Sequence, residues 1–310
     1  MPYEDRKLFL ILGRCGRLAN RITLFATFIA LAEELGHRLI NLTFHSYAHL
    51  FETTRQDLLC QYPSPGKQGW LDSVPGLPPL IRKTRVAPNF LKVAYRINEW
   101  MPVFPGPTVC LRQVWGQHIT ALGSPEIQSL IRAGKTIFIS GWAFRAPDFV
   151  GRHKEKIRNY FNPIKSHAQA SRQVVAGLRE QADIVIGVHV RQGDYATWRK
   201  GRYLFPTARY AAWMHDLADQ FPGSKIAFLV CSNEPRSAKE FPGLTVGFGT
   251  GIPVEDLYSL AECDRIIGPV SSFSQWASFY GEKPLLFLTN ANTPIKREQF
   301  RISMLGEVPD

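Results

Sequence analysis

Within the stretch 187-GVHVRQGDYATW-198, His189, Arg191 and Asp194 fall within six residues, directly after an apolar run. An arginine just past a strand end offers a planar fork of donors that suits a phosphate. Gly193 lets the following turn bring backbone N–H groups toward the same anion, and Asp194 is placed either to orient the arginine or to cap the next segment. The simpler alternative is a strand terminus whose arginine makes an internal ion pair.

Two further stretches carry the same kind of chemistry. The turn 13-GRCGRLAN-20, with Gly16 and Arg17, follows an apolar run and opens a long apolar segment. Helical N–H groups there would favour an anion. It is neither G-x-G-x-x-G nor a P-loop, and a plain tight turn with Asn20 as the helix N-cap explains it equally simply. In 265-RIIGPVSSFSQWASFYGEKPLLFL-288, Ser271, Ser272 and Phe273 stand where a strand ends and a helix begins. Their hydroxyls and N–H groups suit a phosphate and the phenyl ring a base or ribose; capping and core packing are the alternative. Asp256, near the start of the preceding helix, is placed to accept from a guanine edge, or simply to complement a helix N-terminus. D-x-D, H-E-x-x-H, C-x-x-C and G-x-S-x-G are all absent. The nearest carboxylate pair, Glu262-Cys263-Asp264, reads as a helix end. Arginine and backbone donors are therefore expected to neutralise a leaving phosphate without a metal.

The elements that must hold these residues alternate along the chain. Residues 7-KLFLIL-12 read as a strand, 21–35 as a buried helix ended by Gly36, 38-RLINLTF-44 as a second strand and 135-KTIFIS-140 as another, with a helix near 151–160. From about 62 to 110, repeated prolines break any long element. In the second half, 184-IVIGVHV-190, 226-IAFLVC-231, 244-LTVGF-248, 265-RIIGPV-270 and 284-PLLFL-288 alternate with helices near 207–220, 254–263 and 272–280. Continuous apolar strands separated by helices predict parallel sheets covered on both faces. The expectation is α/β: two Rossmann-like halves joined near 163–175.

The chain has 310 residues, 45% hydrophobic and 20% charged, which suits two ordinary folded domains. Its net charge of +11 favours an anionic partner. Nucleic acid is not expected, because basic and aromatic residues are not interleaved as in a dedicated reader. Five widely spaced cysteines predict reduced thiols and no structural zinc. No window approaches the roughly 20 apolar residues of a membrane span, and no signal peptide is evident, so a cytoplasmic protein is expected. The basic, apolar stretch 81-IRKTRVAPNFLKVAYRINEW-100 is weighed as a peripheral contact at the inner face of the membrane, against a solvated basic face, which is preferred.

Taken in order, four stretches resemble the GDP-fucose-dependent fucosyltransferase superfamily, and within it the alpha-1,2-fucosyltransferase family. GVHVRQGDY looks like that family's H-x-R-x-G-D-Y motif, and 140-SGWAFRAPDFVGRHKEKIRNYF-161 its G-Y-W-Q-S-E-K-Y-F segment. GRLAN is similar to its glycine-asparagine turn, and 256-DLYSLAECDRIIGPVSSFSQWASFYG-281 matches its D-L…C-D…S-S-F-S-x-W-A pattern. The resemblance implies a GT-B fold with GDP-fucose in a cleft between two Rossmann-like domains. Residues 1–168 would be the acceptor domain and 169–310 the GDP-sugar domain. The reaction would be inverting transfer of L-fucose to a glycan hydroxyl, without metal or other cofactor. Arg191 would bind the β-phosphate and stabilise departing GDP, His189 and Asp194 would shape that site, and Asp256 would read guanine. Ser271, Ser272 and Phe273 would line the nucleotide pocket, and Asn20, with Gly16 and Arg17 of the same turn, would contact the donor.

The chain departs from the family pattern at Gln192, at Ala143-Phe144, and at Ala19 and Arg21. These bear on acceptor and linkage more than on donor. An alpha-1,6 transferase of the nodulation type, another GDP-sugar transferase and an inactive GDP-sugar-binding protein stay open as alternatives. The proton acceptor is unassigned.

Overall fold

The computed structural model describes residues 7–13, 16–57, 59–65, 106–113, 119–292 and 294–307. The stretch 81–100 and most of the proline-rich segment lie outside the described residues. The chain divides into two compact units, Met1–Ile164 and Lys165–Asp310.

In the first unit β1 (Leu8–Ile11) leads through a turn into α1 (Leu18–Leu35), followed by β2 (Arg38–Ile40), β3 (Gln61–Tyr62), β4 (Thr108–Arg112) and β5 (Thr120–Ala121). Then come α2 (Pro125–Ala133), β6 (Thr136–Ser140), β7 (Phe144–Arg145), α3 (Pro147–Arg152) and α4 (Lys154–Tyr160). The main sheet runs β3-β2-β1-β6-β4, parallel apart from β3, and β5 pairs with β7 separately. Because α1 is apolar around nearly its whole girth, it is buried from Leu18 to Ala32 save for Asn20 and Arg21. Phe25 on that helix meets Phe44, Tyr160 and Phe161 edge-on at 5.2 to 5.5 Å, an arrangement that aromatic quadrupoles favour. Phe144 packs on Phe28 at 5.4 Å and is 1% exposed, so its departure from the family pattern serves the core.

The second unit opens with α5 (Lys165–Arg179) and continues with β8 (Ile184–Val190), α6 (Thr207–Ala218), β9 (Ile226–Ser232), β10 (Thr245–Phe248), α7 (Pro253–Glu262), β11 (Arg265–Pro269), α8 (Ser272–Gly281) and β12 (Leu285–Leu288). Its sheet is wholly parallel in the order β10-β9-β8-β11-β12. Period-two alternation along β8 sorts its side chains onto two faces. Ile186, Val188 and Val190 join Tyr210, Trp213, Met214 and Leu217 of α6 in one core. Gly187 lies against Leu260 and Cys263 around α7, and His189 meets Ser274 of α8 on the other side.

The two units divide at Ile164/Lys165, and most of the stretch 163–175 is α5, which packs on α7. The expected second strand stops at Ile40, since Asn41 and Thr43 bond side chain to side chain at 2.7 Å and the chain turns into a 3-10 helix over Leu42–Phe44. Such local side-chain bonds compete with a strand ladder. Helix α1 starts three residues before the predicted 21, so Asn20 lies inside it and Arg17 holds the N-cap position. Glu262 does end α7. Asp264 beyond it accepts from Arg179 at 2.8 and 3.0 Å and from the Val185 backbone at 2.8 Å, which makes it a structural carboxylate.

Candidate functional site at the carboxyl edge of the second sheet

Parallel pairing brings the ends of β8, β9, β10 and β11 to one edge, where open α/β sheets bind ligands. Arg191 lies just past the end of β8 with its side chain 16% exposed. Its Nη2 donates to Asp194 Oδ2 at 2.8 Å, which uses one of five N–H donors. The guanidinium also lies 5.6 Å from the Tyr195 ring centre, close enough for a cation–π attraction. Tyr195 is anchored in turn, its hydroxyl donating to the Val270 carbonyl at 2.7 Å, and burial raises its phenol above the ordinary range. A positive charge is thus fixed in direction while most of its donors are still available to an anion.

His189 sits behind this group, 4% exposed, with Nδ1 2.8 Å from Ser274 Oγ and its ring 4.9 Å from that of Phe273. Burial first, and the Arg191 charge second, lower its pKa to about 3, so the imidazole is neutral at neutral pH. An enclosed, neutral ring is suited to fixing Ser274 and Phe273 and poorly suited to taking a proton from a substrate. Ser271 accepts from the Phe273 N–H at 3.2 Å, and Ser272 is the first residue of α8. Ser271 is therefore the N-cap of that helix.

Between the ends of β9 and β10 lies a cleft of about 350 Å³, lined among others by Val230, Asn233, Arg236, Phe248, Thr250 and Asp256. Asp256 stands in the first turn of α7, where its Oδ1 accepts from the Gly251 N–H at 3.1 Å. Burial raises its pKa to about 6, against the lowering by the Gly251 and Thr250 backbone donors, because desolvation disfavours the charged form. A largely desolvated carboxylate in a cleft is suited to a ligand offering paired N–H donors. Arg191, His189, Asp194, Asp256, Ser271, Ser272 and Phe273 therefore share one sheet edge.

In the first unit, Gly16 has φ 55°, and a Cβ added there would lie 2.1 Å from Asn20 Nδ2. That left-handed conformation suits glycine. Arg17 is exposed, and its side chain makes no cap. The residue that ties this turn down is Arg21. Its Nε donates to the Gly16 carbonyl at 3.3 Å and its Nη1 to the Thr43 carbonyl and Ser46 Oγ at 3.1 and 3.0 Å, with the Tyr47 ring centre 5.1 Å away.

Sequence reasoning noted Arg21 only as a departure and missed Asn233 and Arg236. Arg236, 12% exposed, donates to Thr207 Oγ1 at 3.0 Å, Glu234 Oε2 at 3.1 Å and Glu240 Oε2 at 3.2 Å. The polar run 232-SNEPR-236 straight after apolar β9 was the available signal, the same one that singled out Arg191 after β8. Among the described residues, no group of three His, Cys, Asp or Glu is arranged to hold a metal ion, and no helix is long and apolar enough to cross a membrane. Cys60, Cys231 and Cys263 are buried free thiols, and Cys110 is an exposed one.

Residues 152–301 match the profile of glycosyl transferase family 11. Over 219 residues, 64% of this chain and 54% of the relative, the sequence is 24% identical to galactoside alpha-(1,2)-fucosyltransferase 2 of Mus musculus, so the match spans little more than half of that protein. Among solved structures, an arginine-to-lysine variant of Arabidopsis thaliana FUT1 in complex with GDP superposes with a TM-score of 0.62 at 15% identity, covering 96% of this chain and 73% of that one. POFUT1 in complex with GDP-fucose gives 0.52 at 12% identity, covering 91% and 98%. NodZ alpha-1,6-fucosyltransferase soaked with GDP-fucose gives 0.50 at 15%, covering 93% and 96%. The two units thus have the Rossmann-like, GT-B-type fold of these solved structures, and residues 152–301 carry the match to glycosyl transferase family 11.

Proposed function

We propose that this protein transfers L-fucose from GDP-fucose to a hydroxyl of a glycan acceptor, inverting the configuration at C1 and using no metal ion. The observation that carries this reading is Arg191, a guanidinium fixed by Asp194 at 2.8 Å at the end of β8, with donors still available to a diphosphate. The family 11 match, the similarity to a fucosyltransferase and the GDP-fucose in the solved structures of POFUT1 and NodZ support GDP-fucose as the substrate. In this reading the guanine ring fills the cleft beside Asp256, its N–H donors meeting the carboxylate, and the diphosphate runs toward Arg191.

As the acceptor oxygen attacks C1 from the face opposite the diphosphate, the bond from C1 to the phosphate oxygen breaks. The electron pair leaves on the β-phosphate, where Arg191 neutralises the growing charge. The acceptor proton must pass to a base other than His189, whose burial and low pKa unfit it for that task. The unit Lys165–Asp310 holds the nucleotide, the unit Met1–Ile164 binds the acceptor, and the turn of Gly16, Arg17 and Asn20 contacts the donor. Linkage through the acceptor 2-hydroxyl is the finer proposal, supported by the mouse relative.

A screen of GDP-sugars with glycan acceptors, read by GDP release and by NMR of the product linkage, tests this. GDP-fucose should be consumed fastest and yield an alpha-1,2 bond. Faster use of another GDP-sugar would overturn the donor, and GDP binding without turnover on any acceptor would make the chain a nucleotide-sugar-binding protein.

A further inference from the structure

We infer that Asn233 is a positioning residue that fixes the turn carrying Arg191 to the wall of the base cleft, so that base and diphosphate meet one rigid unit. The inference rests on the proposed nucleotide site. Asn233 Oδ1 accepts from the Gln192 backbone N–H at 2.9 Å, a bond between residues 41 positions apart. That N–H belongs to the peptide unit joining Arg191 to Gln192. Holding this plane sets the ψ angle of Arg191, and with it the way the chain leaves the guanidinium's Cα. The Gln192 side chain is held as well, Nε2 donating to the Phe205 carbonyl at 2.7 Å, and so the turn is fastened at two points.

Gly193 closes the contact. Its φ is 59°, and a Cβ added there would lie 3.3 Å from both Asn233 Nδ2 and Glu234 Oε1, so the turn lies flat on the segment after β9. Glycine is the residue that takes this backbone conformation without strain. That segment is itself anchored. The Glu234 N–H donates to Ser232 Oγ at 3.2 Å, and Glu234 pairs with Arg236, which reaches on to Glu240 and Thr207. Asn233 also lines the cleft that holds Asp256. One side chain therefore borders the space for the base and fixes the backbone beside the phosphate arginine. Gln192, a departure from the family pattern, gains a physical account: its amide ties the turn to Phe205.

The test compares GDP with guanosine, since their affinity ratio isolates what the diphosphate adds. By calorimetry, Asn233→Ala should lower that ratio about tenfold, the loss for GDP exceeding any loss for guanosine from the altered cleft wall. Gly193→Ala should lower the ratio in the same direction, with melting curves showing that both variants are folded. In an Arg191→Ala background, Asn233→Ala should add nothing further, because the residue acts through the arginine. An unchanged ratio, an equal loss for both ligands, or a full effect surviving without Arg191 would each overturn the role. Wild-type protein that binds neither ligand would sink the proposed function itself, whereas wild-type binding with an unchanged ratio in Asn233→Ala sinks this role alone.

Discussion

The carboxyl edge of the second sheet and the Gly16 turn of the first unit both stand where a strand hands over to a helix, yet they are built differently. At the second-sheet edge, several groups are held by partners far along the chain, His189 by Ser274, Tyr195 by Val270 and the Gln192 backbone by Asn233, while Arg191 and Asp256 are held locally by Asp194 and Gly251. At the Gly16 turn, Arg17 is exposed, and among the described residues Arg21 ties the turn to Thr43 and Ser46. A site fixed from several elements keeps its donors in place before a ligand arrives, and that preorganisation is what electrostatic stabilisation of a leaving group requires. A turn whose described arginine, Arg21, spends its donors on carbonyls and a serine gives shape more than fixed charge. The second unit is therefore expected to carry most of the binding and catalytic free energy, and the turn a smaller part.

The largest effect should come from Arg191→Ala. Removing a preorganised donor to a developing oxyanion costs about 10² to 10³ in kcat, and the melting temperature should stay near wild type because the guanidinium lies at a sheet edge. Retained GDP release from GDP-fucose in that variant would break the comparison at its strongest point. Next is Ser274→Ala, which leaves the His189 imidazole enclosed without its partner; an unpaired buried polar group costs about 1 to 3 kcal/mol. Thermal unfolding should register that loss of stability, together with a weaker grip on nucleotide through Phe273, and an unchanged melting point would show that the behind-the-site packing matters less than argued.

Much of this contrast is legible in the sequence. Strand β8 is found at its predicted bounds because a run apolar on both faces has few other places to go in an α/β unit. Helix α8 and its Ser271 cap likewise follow from local rules, since a serine before an apolar run is a strong helix start. Helix α5 is hidden because it is mostly polar, with only Ser171, Val175 and Leu178 buried, and a narrow apolar stripe looks like a linker when read residue by residue. Asn20 reads as a cap, but Arg17, a poor capping residue, holds that position. Asn233 and Arg236 escape notice, and Arg21 registers only as a departure from the family pattern, for a different reason. Their meaning lies in bonds to residues 41, 29 and 22 positions away, and a single sequence specifies the two ends of such a bond without pairing them.

Asp256 offers a titration that sharpens the comparison from the base side. Its folded pKa, raised to about 6 by burial, lies above the ordinary carboxylate value, so the folded chain binds a proton that the unfolded chain releases between roughly pH 4 and 6. Stability from this group is thus present at low pH and lost as pH rises through about 6. A guanine edge that donates to the carboxylate favours its ionised form and should drive the proton out. Guanosine, which has no phosphate to titrate, should bind about tenfold more weakly at pH 5 than at pH 7, with proton release measurable by calorimetry in two buffers. Flat affinity across that range would remove Asp256 from the base site, and Asp256→Asn should flatten the profile.

The smallest effect tests the turn itself. Arg21→Ala removes the bonds to the Gly16 and Thr43 carbonyls and to Ser46. At a partly exposed site the net loss should be about 1 kcal/mol. The Gly16 turn should then loosen without unfolding α1, because that helix is held by the burial of Ile22 through Ala32. The expected reading is a few-fold fall in kcat/KM for transfer, with GDP affinity unchanged, since the diphosphate is assigned to the other unit. Equal weakening of GDP binding would mean that the turn shares the nucleotide. A loss as large as that of Arg191→Ala would mean that the turn Arg21 ties down can carry as much as the edge built from several elements, and the contrast between the two regions would then lie in their construction alone.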